Sequence, residues 1–562
     1  MTNTIETAYK LWCEKATLDE ALQAELKTMS EDMIQDAFYR SLSFGTAGLR
    51  GVLGAGTNRM NVYTVGAASQ GLAEYVKRHF AEEERIITVS RDSRINSELF
   101  TRVAAAIFAA NGIKTYVYKE LMPTPCLSYA VRAFHAAAGV MVTASHNPAK
   151  YNGYKVYGAD GAQMTEEGAN EVYNEIQKLD LFESIPWGDY EKSLADGMIE
   201  IISEDVTTAF IEEVKNQSVA PKDMVLDKNA KIVYTPLYGA GFKPVMRALT
   251  EAGYTNIIVV EEQMNPDGNF PTCPYPNPEL RETMKLGMES AAANQSDLLM
   301  ATDPDSDRLA VAVRTPEGEY VILSGNELGC LILDYIAAMR TKAGTLPEKA
   351  IAVKSIVSTD LATKIAEKYG VEMKNVLTGF KYIGDQIALL EETHEEKRYI
   401  FGFEESCGYL TGTYCRDKDA VNAAFIVAEM FSYYRTIGKN LYTRMQEIYG
   451  EFGFYQSGVH SFQYDGAAGA ERMKEIMATF RAGMEGFGDY KVIKTVDYMD
   501  GVDRLPKADV VKFYLTDEAS VVVRPSGTEP KIKIYVTVKG ETKAIAEETE
   551  KKLCAIVTPY LQ

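Results

Sequence analysis

The order strand, loop, helix, strand, loop, helix, strand occurs three times in succession along this chain, and few architectures can accommodate it. In the first copy, apolar runs over 86–89, 114–118 and 139–142 alternate with helical patterns over 97–110 and about 127–135, and Asn111-Gly112 caps the first helix. The second copy has strands over 231–234, 256–260 and 297–301, with one helix running to Ala252-Gly253 and another over 278–292. In the third, strands over 350–353, near 373–377 and over 398–401 bracket a helix over 360–369 and a second one after Lys381. Strand–helix–strand alternation requires parallel pairing with right-handed crossovers. The period is that of a whole domain and is longer than a solenoid repeat. A chain of 562 residues is also too long for one core. The expectation is three similar α/β domains, over 1–205, 206–322 and 323–452. A differently built fourth, over 453–562, carries strands over 520–523 and 531–538 and a helix over 542–557.

Each third strand ends in an unusual loop. The first loop reads Thr143-Ala144-Ser145-His146-Asn147-Pro148, the second Thr302-Asp303-Pro304-Asp305-Ser306-Asp307-Arg308, and the third Gly402-Phe403-Glu404-Glu405-Ser406-Cys407-Gly408. If the three domains face a common centre, these loops build one site. A serine at the C-terminal end of a buried strand stands where α/β proteins bind ligands. The plain alternative is a polar turn, since Ser and Asn are ordinary turn formers. Ser145 and His146 are a poor nucleophile–base pair, because adjacent residues rarely face each other. A nucleophilic Ser145 therefore needs a phosphoryl group or a metal beside it. Asn152-Gly153 marks a further turn, which brings Lys155 near Ser145.

Asp303, Asp305 and Asp307 alternate along the second loop, and three carboxylates that close repel unless a cation neutralises them. Oxygen donors favour Mg²⁺ or another hard divalent ion. The spacing resembles the start of an EF-hand loop, but Arg308 and Arg314 occupy the places of its glycine and final glutamate. Arg308 could pair with the aspartates or meet a phosphate. Arg524-Pro525-Ser526-Gly527-Thr528 offers a guanidinium, two hydroxyls and a flexible backbone, either an anion cradle or a simple hairpin turn. The glycine-rich stretch Phe44-Gly45-Thr46-Ala47-Gly48-Leu49-Arg50-Gly51 reads as a close-approach loop with Arg50 as a phosphate donor. Glu404, Glu405 and Ser406 suit hydroxyl recognition, although Glu405 fits an ion pair equally well. Lys381 is a phosphate or acid/base lysine, or a solvated loop cation. Arg416-Asp417-Lys418-Asp419 alternates in charge and reads as structural.

A net charge of −20 argues against a nucleic-acid surface and requires any phosphate to be met by a local cluster of cations. No apolar run is long enough to span a membrane, and the first residues read as an amphipathic helix with no signal-peptide core. Seven scattered cysteines without a C-x-x-C pair point to reduced thiols in a cytoplasm. A serine, a divalent metal, two separated phosphate sites and a hydroxyl-reading loop together fit phosphoryl transfer on a phosphosugar.

The motifs FGTAGLRG, TASHNP, DPDSDR, TGFKYIG, GFEES and RPSGTEPK resemble, in order and over nearly the whole chain, those of the α-D-phosphohexomutases, the phosphoglucomutase/phosphomannomutase superfamily. The resemblance implies three mixed α/β domains with mainly parallel sheets and a C-terminal α+β domain like the TATA-box-binding-protein fold, set around a central cleft. It implies a phosphoryl group on Ser145, and one Mg²⁺ per active site held by Asp303, Asp305, Asp307 and the Ser145 phosphate. Arg50, Lys155 and Lys381 take acid/base or charge roles by the same resemblance. Glu404 and Ser406 contact sugar, and Arg524, Ser526, Gly527 and Thr528 contact phosphate. Thr46, His146, Arg308, Thr378 and Gly379 complete the implied substrate site. The implied reaction interconverts α-D-glucose 1-phosphate and glucose 6-phosphate, with glucose 1,6-bisphosphate as intermediate and activator. Pentose or mannose phosphates are the alternative substrates, and Glu-Glu-Ser resembles the glucose-preferring members. The expected partner is a small phosphosugar, with no nucleic acid and no membrane, for a monomer or small homo-oligomer.

Overall fold

The computed structural model describes residues 3–45, 48–464, 466–502, 504–526 and 531–562. Three of its four sheets repeat one plan, in which the second strand lies beside the first, the first beside the third, and the third beside a fourth. In the first unit these are Lys114–Val117, Ile86–Arg91, Ala138–Val142 and Tyr151–Gly158. In the second unit they are Ile257–Val259, Ile232–Thr235, Leu298–Thr302 and Leu309–Arg314. In the third they are Glu372–Val376, Ile351–Ser355, Tyr399–Glu404 and Gly408–Leu410. The first three strands of each unit are parallel, as the alternation with helices requires. The fourth runs antiparallel to the third, so each chemical loop is the tip of a hairpin, and the sheets are mixed. The third strands are buried along their whole length. This is why they read as unbroken apolar runs: helices cover both faces.

The fourth strand of the first unit corrects a local expectation. Asn152-Gly153 is no turn but lies inside Tyr151–Gly158, a strand paired on both sides, with Ala138–Val142 and with Leu49–Val52. A Cβ on Gly153 would stand 2.5 Å from the carbonyl oxygen of Thr143 and 2.8 Å from that of Leu49, so the glycine serves close strand approach. The glycine-rich stretch before it likewise becomes, from Leu49 on, an edge strand that sets Arg50 opposite Gly153. The expected helix over 278–292 is confined to Lys285–Ala293. Strand Tyr320–Leu323 extends the second sheet, one residue past the division expected at 322/323.

The fourth sheet is antiparallel throughout, in the order Phe454–Gln463, Lys531–Gly540, Ser520–Pro525, Val511–Leu515, Tyr490–Asp497, Gly486–Phe487. Helices Gly466–Arg481 and Lys543–Val557 belong to this part. It has its own core, built on Phe480, Phe487, Phe513, Val521 and Leu553, as does the first unit. The second and third units share one core. Helix Ala420–Thr436, apolar almost all round, is buried there against Phe242–Glu251 and Gly325–Ala343.

Candidate active site

The loop of the first unit is held from below by Arg94, which the sequence reading left as an ordinary loop residue. Its buried guanidinium donates to the carbonyl oxygens of Ser145 (2.6 Å), Pro148 (3.1 Å), Tyr151 (2.9 Å) and Asn147. Asp92 anchors the other side, accepting from the Thr143 hydroxyl (2.5 Å) and the Arg94 backbone N–H (2.9 Å). The available signal was the position of Arg91-Asp92-Ser93-Arg94 at the C-terminal end of the strand next to Ala138–Val142.

So constrained, Ser145 takes a left-handed φ of 51°, a conformation that costs an L-residue roughly 1–2 kcal/mol. Its hydroxyl points across the domain boundary and donates to Asp303 Oδ2 at 2.8 Å. It also lies 3.1 Å from His146 Nδ1, so the adjacent residues do meet, because the left-handed turn folds one onto the other. Burial, helped by the charges of Arg308 and Arg50, lowers the His146 pKa to about 3. The imidazole is therefore neutral, and the ground for setting this pair aside, that neighbours rarely face each other, does not hold in this turn. Arg50 reaches the same loop, donating to Asn147 Oδ1 at 3.3 Å.

The second loop is clamped by all three α/β units. Thr124 donates its backbone N–H to the Asp305 carbonyl (2.9 Å) and its hydroxyl to Asp305 Oδ2 (2.9 Å). Ala240 N–H meets the Pro304 carbonyl at 2.8 Å, and Ala420 N–H that of Ser306 at 3.2 Å. Ser306 repeats the backbone device of Ser145, with φ of 51°. Asp303, Asp305 and Asp307 are all buried, and one oxygen of each lies within 4.8 Å of the others. Lys155, on the fourth strand of the first unit, reaches Asp305 at 2.6 Å and Asp307 at 3.2 Å. Lys418 reaches Asp307 at 3.2 Å and Asp417 at 2.8 Å. The Arg416–Asp419 segment, expected to be structural, thus brings a second ammonium to the acidic cluster. The sequence held no signal for this, since helix Ala420–Thr436 docks the segment there.

Charge is unevenly shared. Burial, then Asp305 and Asp307, push Asp303 well above the usual carboxylate range. Burial also opposes ionisation of Asp307, but Lys155 and Lys418 outweigh it and hold that carboxyl low. For Lys155, burial works against the ammonium, and Asp305 and Asp307 more than reverse it. Asp305 Oδ1 and Asp307 Oδ1 are buried with no hydrogen-bond partner. Two orphaned carboxylate oxygens, an all-oxygen donor set and a neighbouring carboxyl pushed toward its neutral form together fit a hard divalent cation.

The third loop faces the second. Leu309 N–H donates to the Cys407 carbonyl at 3.0 Å, and Cys407 carries the same left-handed turn, φ 62°. Arg308 bridges outward to Glu279 at 3.2 Å. Glu404 is buried and accepts from Gly379 N–H at 2.6 Å; burial, then Glu405, push its pKa up to about 7. Glu405 accepts from the hydroxyls of Ser355 (2.9 Å) and Ser358 (3.3 Å), and Ser406 beside it is half-buried. Thr378 Oγ1 is buried without a partner. Lys381, half-buried over the ring of Tyr382 at 4.8 Å, has its pKa lowered by burial. Arg524, at the end of strand Ser520–Pro525, interacts with Tyr535, and its charge reaches Tyr382 of the third unit. Ser526 N–H donates to the Lys531 carbonyl at 2.8 Å. Thr46, Gly527 and Thr528 lie outside the described residues.

Three copies of one α/β unit, with a serine hydroxyl, an acidic cluster and paired ammonium groups where they meet, and an antiparallel fourth part define a multidomain α/β protein with a candidate divalent-metal site. The phosphoglucomutase/phosphomannomutase family matches in all four of its parts: alpha/beta/alpha domain I over 41–183, domain II over 208–318, domain III over 324–452 and the C-terminal domain over 471–554. The chain belongs to this family. The phosphoglucomutase of Staphylococcus saprophyticus subsp. saprophyticus is 34% identical over 549 residues, covering 94% of this chain and 96% of that one. Two solved structures share the fold. A phosphoglucomutase/phosphomannomutase family protein of Burkholderia thailandensis superposes with a TM-score of 0.68 at 17% identity, over 92% of this chain and 97% of its own. The open form of Paramecium parafusin does so with a TM-score of 0.67 at 17% identity, over 93% and 96%.

Proposed function

We propose that the protein interconverts α-D-glucose 1-phosphate and glucose 6-phosphate, through a phosphoryl group carried on Ser145 and a glucose 1,6-bisphosphate intermediate. The observation that carries this reading is the contact of the Ser145 hydroxyl with Asp303 at 2.8 Å, across the boundary between two domains. It sets a single nucleophilic oxygen against the divalent-metal donors. In this reading phosphorylated Ser145 donates to the free hydroxyl of the bound sugar phosphate. The bisphosphate turns over while bound, and its other phosphate returns to Ser145. The same bisphosphate, supplied in trace, restores dephosphorylated enzyme.

Mg²⁺ held by Asp303, Asp305, Asp307 and the Ser145 phosphate would polarise a phosphoryl oxygen. Lys155, held charged by Asp305 and Asp307, serves as fixed positive charge for the transferring group, with Lys418 and Arg308 beside it. Lys381, whose pKa burial lowers, is better suited to move the proton of the sugar hydroxyl. Arg50 and His146 border the transferring group. Glu404, Ser406, Thr378 and Gly379 receive the sugar hydroxyls. Arg524, Ser526, Gly527 and Thr528 hold the phosphate that is not reacting. The division into domains over 1–205, 206–322, 323–452 and 453–562 puts Ser145, the three aspartates, Glu404 and Arg524 in four different domains. The seven cysteines are all free thiols, which supports work in the reducing cytoplasm. Among the described residues no helix is long and apolar enough to cross a membrane.

The test is a coupled isomerisation assay with Mg²⁺ and trace glucose 1,6-bisphosphate on glucose, mannose and ribose 1-phosphates. The expected kcat/KM for glucose 1-phosphate is at least ~100-fold above the others, about 2.7 kcal/mol of transition-state preference. A ribose or mannose preference would keep the mechanism and overturn the substrate. No turnover of any of the three, with Ser145 phosphorylated by intact mass, would overturn the reading of the sugar loop.

A further inference from the structure

We infer that the C-terminal domain holds a second divalent-metal site, of the zinc class, formed by His460, Glu550 and Cys554. His460 lies on the edge strand Phe454–Gln463. Glu550 and Cys554 stand one turn apart on helix Lys543–Val557, which packs across that strand. One donor atom from each of the three lies within 4.8 Å of the others, and His460 Nε2 is 2.7 Å from Glu550 Oε1. Among the described residues, only this group and the three aspartates bring three potential metal ligands so close together.

The space around the pair is made by a glycine. Gly458 lies two residues before His460 and so on the same face of the strand. A Cβ there would stand 2.0 Å from Glu550 Oε1 and 3.0 Å from His460 Nε2. The His460 side chain is 36% exposed, which leaves an entry path, while Glu550 and Cys554 are buried.

The donor chemistry separates the two sites. Imidazole nitrogen, thiolate sulfur and carboxylate oxygen are the ligands of Zn²⁺ with one position left for water, whereas the all-oxygen aspartate cluster suits Mg²⁺. On binding, the Cys554 thiol proton passes to solvent, and His460 exchanges its hydrogen bond with Glu550 for a bond to the ion. The bound ion would join the edge strand to the last helix. That strand pairs along its length with Lys531–Gly540, which leads out of the Arg524–Ser526 loop, so the ion would stiffen the domain that presents the phosphate cradle.

Co²⁺ is the probe, because only a sulfur ligand gives a strong near-ultraviolet thiolate-to-cobalt charge-transfer band. The full-length protein, with Mg²⁺ in excess to occupy the aspartates, is titrated with Co²⁺. The expected result is this band saturating at one equivalent, reversed by one equivalent of Zn²⁺ and unchanged in Asp305→Asn. Cys554→Ser abolishes it. Should that variant not fold, His460→Gln decides, by abolishing or weakening the band. A wild-type protein without the band, a band that survives in folded Cys554→Ser, or, where that variant does not fold, a band unchanged in His460→Gln, would overturn the proposal and leave a plain histidine–glutamate hydrogen bond.

Discussion

The loop after the third strand of the first unit and its counterpart in the third unit share a backbone device and differ in charge. Both turn back through a left-handed non-glycine residue, Ser145 in one and Cys407 in the other. In the first, cations build the loop: Arg94 gathers four carbonyl oxygens from beneath and Lys155 stands on the next strand. In the third, acceptors fill it: Glu404 is held by the Gly379 N–H and Glu405 by two serine hydroxyls. One scaffold position has thus been given opposite electrostatic character. Positive charge beside the first loop suits a phosphoryl group, and buried acceptors in the third suit sugar hydroxyls. Strained turns of this kind persist only where surrounding contacts over-determine them, and the first loop has far more of those contacts than a turn requires.

The largest expected effect comes from removing the Ser145 hydroxyl, the nucleophile proposed for the first loop. Ser145→Ala should lower kcat/KM by at least ~10⁴-fold and abolish phosphate incorporation seen by intact mass, while calorimetry still detects glucose 6-phosphate through the intact third loop. Substantial residual turnover would break the division of labour between the loops. Next in size is Arg94→Lys, which keeps the charge but cannot serve four carbonyl oxygens. We expect kcat to fall ~10²-fold through misplacement of Ser145, with KM nearly unchanged. A rise in KM alone would mean that Arg94 shapes binding and not the position of the nucleophile.

The smallest effect belongs to the third loop. Glu404→Gln should raise KM about tenfold, roughly 1.4 kcal/mol, and leave kcat within about twofold. Burial, then Glu405, raise the Glu404 pKa to about 7, so two pH effects run in opposite directions. The ionised carboxylate is the better acceptor, so the wild-type KM should fall as pH rises through about 7. Folding favours the neutral acid, so its stabilising contribution is complete below the ordinary glutamate range and is lost as pH rises through about 7. KM and melting temperature measured from about pH 6 to pH 8 should show both steps in the wild type and neither in the glutamine variant. A KM step that persists in the variant would assign the titration elsewhere.

Most of the architecture could be read from the chain because its signals are local. The apolar runs of 139–142 and 298–301 carry their burial in their composition, and the helix at Ser97–Ala110 carries its own C-cap, Asn111-Gly112. Ser145, the three aspartates and Glu404 were legible because each stands at or soon after the end of such a strand. The fourth strand of each unit was harder. Asn152-Gly153 has the composition of a turn, and only pairing on both sides makes it strand. Arg94 and Lys418 were passed over for a similar reason. Each is a charged residue in a polar stretch; the end of a strand marked the place of Arg94 without revealing a buried clamp, and nothing nearby marked Lys418.

By itself, then, the sequence determined most of the strands and helices, that three of the units are alike, and which loops gather the serine, the aspartates and the glutamates, since those properties follow from short-range periodicity and residue chemistry. Only the tertiary structure decided which charges meet. Lys155 and Asp305 are far apart along the chain and 2.6 Å apart in space, and Lys418 joins them through a helix buried between the second and third units. Coulombic interaction and desolvation depend on distance and burial, which a linear order of residues does not contain.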